Sequence, residues 1–201
     1  MRVTIIDYGA GNVPSVERAL QRLGAESERT NSRDKIAQAE TLLLPGVGHY
    51  AALIRALDEQ NMREPLVGAI KRGIPFLGIC LGLQVLYDSS AESPQLSGLK
   101  LLSGKVGALP STVKLPHMGW NQITQNRESQ LLAGIDSSAY FYFAHSYAAP
   151  DSNGSTTATC FHGSPFAAVV EKQNMYGVQF HPEKSGESGS RLLQNFLRIA
   201  G

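Results

Sequence analysis

The sequence has no Cys-x-x-Cys pair, and its two cysteines, Cys80 and Cys160, lie far apart. That spacing argues against a disulfide framework and against a structural zinc site. No apolar run approaches the roughly 20 residues a membrane span requires. Net charge is only +1, so no long-range field points to nucleic acid or an anionic membrane surface. The opening Arg2-Val3-Thr4-Ile5-Ile6-Asp7 reads as strand and not as a signal peptide, and the expected compartment is the cytoplasm. The loop Tyr8-Gly9-Ala10-Gly11-Asn12 has two glycines but lacks the third of a phosphate cradle, because position 14 is proline.

What the sequence does have is a length of 201 residues, 42% apolar and 17% charged, enough for one domain over 1–201 with a sizeable core. Near-continuous apolar strands at 3–7, 41–44 and 74–77 alternate with helical patterns at 14–23, 51–58 and 62–72. That alternation predicts an α/β fold, a doubly wound, mainly parallel sheet with flanking helices. Asn12 reads as an N-cap and Gly24 as the stop of the first helix. After a loop at 89–98, short segments at 101–109, 121–125, 140–144, 156–160, 167–171 and 175–180 predict a smaller, antiparallel strand layer. A closing amphipathic helix carries Leu192, Leu193, Phe196, Leu197 and Ile199.

Gly78-Ile79-Cys80-Leu81-Gly82 lies between the apolar run ending at Leu77 and a helical pattern over 83–87. A Gly-x-Cys-x-Gly at a strand-to-helix turn is the thiol form of a nucleophile elbow, with the glycines admitting a tight turn. Cys80 then sits near a helix N-terminus that favours a thiolate, and the Leu81 N–H is free to face an oxyanion. Farther on, His181-Pro182-Glu183 places an imidazole and a carboxylate two residues apart at a strand end. His181 is suited to take the thiol proton and Glu183 to orient the imidazole. Cys160 reads as core, and neither His117 nor His145 has a second ligand at metal-binding spacing, so no metal or cofactor is expected.

The two motifs together resemble the class I, triad-type glutamine amidotransferases over nearly the whole chain. Within that family Tyr8–Asn12, Pro45-Gly46-Val47-Gly48-His49, Leu115–Asn121 and Gln179–Ser185 are similar to a branch whose glutaminase is a separate subunit. The resemblance implies a catalytic Cys80, His181 and Glu183, and an oxyanion hole from Leu81 and the Val47–Gly48 segment. It implies glutamine held by Gln84, Glu92, Ser146 and Tyr147. It further implies a (β/α)8-barrel synthase partner met by Pro116, Met118, Trp120 and Lys184. Gly46 and Gly48 are expected to let the segment between them flip its backbone. Two alternatives share these residues: a glutaminase serving a different ammonia-using synthase, and a non-catalytic regulatory subunit of the same fold.

Overall fold

Val3, Ile5, Ile6, Leu42, Leu43 and Leu44 are wholly buried, as strands covered on both faces must be. A computed structural model describes residues 2–151 and 154–201. The first half runs β1 (Arg2–Ile6), α1 (Val13–Arg22), β2 (Glu26–Thr30), α2 (Arg33–Ala37), β3 (Leu42–Gly46), α3 (Tyr50–Glu59), α4 (Arg63–Lys71), β4 (Phe76–Cys80). The one-turn α5 (Leu81–Gln84) leads to β5 (Tyr87–Ser90), β6 (Leu102–Ala108), β7 (His117–Gln122), β8 (Thr124–Gln125), β9 (Tyr140–His145) and β10 (Tyr147–Ala148). The chain closes with β11 (Thr156–Phe161), β12 (Pro165–Lys172), β13 (Met175–Val178) and α6 (Gly186–Ala200).

The large sheet has the order β2-β1-β3-β4-β13-β12-β11-β8, and its strands from β2 through β13 pair in parallel. Side chains alternate across it. Val3, Ile5, Leu43 and Leu77 enter a core with Val16 and Leu20 of α1 and Leu192, Leu193 and Phe196 of α6. Ile6, Leu42, Leu44 and Phe76 enter the opposite core with Leu53, Ile54 and Leu57 of α3 and Leu66 and Ile70 of α4. Each such side chain contributes roughly 1.5–3 kcal/mol of transfer free energy, which makes the central strands a stiff platform for the loops at their ends. Gly24, at φ +75°, ends α1 in the left-handed conformation expected of it.

The antiparallel set divides. β12, β11 and β8 extend the large sheet by antiparallel pairing, while β7–β9 and β10-β6-β5 form two small sheets. The helix expected over 83–87 is instead α5, and β5 begins at Tyr87, pairing through Ser89 and Ser90 where the pattern predicts loop. Leu83, Val85, Leu86 and Tyr87 are all buried, so that stretch carries no one-sided periodicity to separate helix from strand.

Candidate active site

Strand register assembles the site. Gly46 at the end of β3 pairs with Cys80 at the end of β4, and Val178 near the end of β13 pairs with Ile79. β1 lies on the far side of β3, so the loop after it reaches the same rim. Residues 8–12, 46–49, 80–84 and 179–185 therefore meet beyond the carboxyl ends of parallel strands, where α/β sheets place their sites.

Cys80 adopts φ 55° and ψ −107°, a left-handed conformation for a residue with a side chain. Such strain costs on the order of 1–3 kcal/mol and persists where the surroundings over-determine it. The flanking glycines answer a need for space. A Cβ on Gly78 would lie 2.4 Å from the Gly82 carbonyl oxygen, and one on Gly82 would lie 2.0 Å from that of Leu44. Gly46 is held the same way, its Cβ position being 2.6 Å from Leu81 Cβ. Gly48, at φ +88° with open space around it, is the conformational glycine of that segment. Leu81 is the first residue of α5, so its N–H has no partner within the helix. A four-residue helix has little dipole, however, so α5 itself adds little charge beside the Cys80 sulfur.

The ionisable group that faces the thiol is His181. Its Nδ1 lies 2.9 Å from Glu183 Oε1, with the two side chains 3% and 1% exposed. Because a carboxylate only accepts, Nδ1 carries a proton and Nε2 is left for the thiol. Burial presses His181 toward neutrality, but hydrogen bonds and charge from Cys80 and Glu183 more than offset it and raise its pKa from 6.5 to about 10. Backbone bonds hold the segment, with His181 N–H on the Tyr142 carbonyl (2.8 Å) and the Ser185 hydroxyl on the His181 carbonyl (2.7 Å). Asn12 does not cap α1 with its side chain; its Nδ2 donates to Glu183 Oε1 at 3.5 Å.

Cys80 opens onto a cleft of about 270 Å³ lined by Gln84, Glu92, Ser146, Tyr147, His181 and the Val47–Gly48 segment. All four expected substrate residues are thus brought together. Glu92 is fixed by accepting the Tyr50 N–H at 2.8 Å, at the start of α3. A larger cleft of about 550 Å³ beside Arg63 and Lys100 contains none of these groups. The Val47 N–H donates to the Tyr8 hydroxyl at 3.0 Å, and that hydroxyl donates to the Val47 carbonyl at 3.0 Å. Burial pushes Tyr8 up to about 12, so the hydroxyl stays neutral and able to do both.

Of the residues expected at a partner, Met118 and Trp120 on β7 are 65% and 56% exposed. Pro116 and Lys184 line the cleft itself, and Lys184 Nζ lies 5.7 Å from the centre of the Tyr142 ring. Cys160 is buried in the core, which pushes its thiol up to about 12. His117 and His145, distant in sequence, bond to each other at 3.0 Å, and burial lowers them to about 4 and about 3. Sequence reasoning missed Tyr8, the side-chain role of Asn12, and Gln179. Gln179 had a readable signal: an amide inside a buried apolar run must find a partner.

An elbow thiol beside a carboxylate-held imidazolium, at the mouth of an amino-acid-sized cleft, is equipped to open a primary amide through a thioester. The chain belongs to the family Glutamine amidotransferase class-I, whose model matches residues 4–200. It is 46% identical over 197 residues to the imidazole glycerol phosphate synthase subunit HisH of Methanothermobacter thermautotrophicus, covering 98% of each chain. It is 44% identical over 203 residues to the subunit of the same name from Moorella thermoacetica, covering 99% of this chain and 97% of that one. In fold it matches a chain of the PurLQS structure from Thermotoga maritima with a TM-score of 0.79 at 21% identity, over 100% of this chain and 99% of the other. The chain is accordingly a glutamine-hydrolysing enzyme of that class.

Proposed function

We propose that this chain is the glutaminase subunit of an imidazole glycerol phosphate synthase, working in histidine biosynthesis and making ammonia for a (β/α)8-barrel synthase subunit. The identity of the complex rests on full-length similarity to HisH subunits. The observation that carries the chemistry is the His181 imidazole, held between the Glu183 carboxylate and the Cys80 thiol. Cys80 Sγ attacks the side-chain carbonyl of glutamine, and the imidazolium of His181 gives its proton to the leaving nitrogen, which departs as ammonia. His181 then takes a proton from water, whose oxygen opens the thioester and frees glutamate. Leu81 N–H stabilises the oxyanion, joined by an N–H of the Val47–Gly48 segment. Gln84 spends its amide N–H groups inward and keeps Oε1 for the cleft, where it and Glu92 face the substrate's ammonium. Ser146 and Tyr147 complete the wall. Pro116, Met118, Trp120 and Lys184 meet the synthase, the chemistry requires no cofactor, and the expected setting is the cytoplasm.

The test is glutamate release in the presence of the synthase subunit. Cys80→Ala and His181→Ala should each lose roughly 10⁴-fold or more, with Glu183→Gln less severe by about one to two orders of magnitude. Undiminished hydrolysis by Cys80→Ala would remove the thioester reading.

A further inference from the structure

We infer that Gln179 is a positioning residue for the nucleophile, holding the Cys80 sulfur with an oriented amide N–H. The inference rests on reading Cys80 as the attacking group. Gln179 is wholly buried and directly precedes the Phe180-His181 step, in line with Cys80 once the β4–β13 register is continued by one residue. Its Nε2 lies 3.5 Å from Cys80 Sγ.

The direction of that amide is set from behind. Gln84 Nε2 lies 2.7 Å from the Tyr147 carbonyl oxygen and 3.0 Å from Gln179 Oε1. A backbone carbonyl can only accept, so Gln84 must present its NH₂ group to it. Its second N–H then requires an acceptor on Gln179, which leaves the NH₂ of Gln179 facing sulfur. The same carbonyl accepts from His145 Nδ1 at 2.9 Å, whose Nε2 is thereby left to accept from His117 Nδ1 at 3.0 Å. Asn121 Nδ2, on β7, bonds the far nitrogen of His117 at 3.2 Å. Every amide and imidazole from Asn121 to Gln179 thus has one assigned direction, and the series ends at the nucleophile. A donor to a charged sulfur stabilises the anion over the thiol, and fixes where its lone pairs point.

The titratable groups facing Cys80 are His181 beyond β13, Tyr8 beyond β1, and Glu92, His145, Tyr147 and Lys184 around the cleft. Substitution at position 179 leaves all of them in place. The measurement is the pH dependence of alkylation by iodoacetamide on the full chain, with peptide mapping and the buried Cys160 as internal control. Gln179→Leu removes the donor. Gln179→Glu keeps an acceptor for Gln84 but sets a carboxyl group against the sulfur. Both should move the half-maximal pH for Cys80 labelling upward, with about tenfold slower labelling near neutral pH and recovery at the alkaline end, as loss of a charge-assisted bond implies. Glu should shift it at least as far as Leu. An unshifted profile in either folded variant, or a uniform slowing at every pH, overturns the role of Gln179. If instead wild-type Cys80 labels no faster than Cys160 at neutral pH, it is the nucleophile reading that fails.

Discussion

At the scale of single residues the site is built from conformations and charges that are unfavourable alone. Cys80 occupies a left-handed backbone and His181 is charged although buried, and each is held by its neighbours. The pKa of His181 in the folded chain, about 10, stands above its ordinary 6.5. Its contribution to stability is therefore complete below about pH 6.5 and lost as pH rises toward about 10. The melting-temperature gap between wild type and His181→Gln should narrow over that interval; a gap that stays constant would mean that the imidazolium adds nothing to folding. The glycines here are not interchangeable. Gly46 gives the elbow room, so a side chain there displaces Leu81 and Gly82, whereas Gly48 governs how the Val47–Gly48 segment can turn.

At the scale of elements, the segment after β3 and the loop after β1 are joined through Tyr8. The hydroxyl engages both the N–H and the carbonyl of Val47, so that N–H is already spent on Tyr8. We expect the isolated chain to be a weak glutaminase that its partner, loaded with its own substrate, activates by releasing this contact. Two hydrogen bonds of roughly 1 kcal/mol each restrain the segment, so Tyr8→Phe should raise basal glutamate release by up to about 30-fold and shrink the stimulation by partner correspondingly. A basal rate unchanged or lowered in a well-folded Tyr8→Phe chain would show that Tyr8 supports the segment without restraining it.

At the scale of the whole molecule, β7 carries two exposed apolar side chains, Met118 and Trp120, and Pro116 just before it lines the cleft. Trp120 is large, half-exposed and edge-on to Tyr142, with ring centres 5.9 Å apart. Such aromatic anchors dominate interfaces, so Trp120→Ala should weaken binding to the synthase subunit by about 2 kcal/mol, roughly 30-fold in Kd, with glutaminase chemistry intact in the saturated complex. Calorimetric titration showing unaltered affinity would move the interface off β7. The sequence by itself determined the strand-to-helix turn at Cys80, the His181-Pro182-Glu183 step at a strand end, and the parallel half of the fold. Each of those is local: a strand-to-helix turn, two side chains separated by one proline, and apolar runs of strand length. Only the tertiary structure decided that β11 and β12 join the large sheet, that Tyr8 engages Val47, that Asn12 reaches Glu183, and that Gln84 orients Gln179. The physical reason is shared. A contact across 39, 95 or 171 residues depends on strand order and register, and no local period in the chain encodes either.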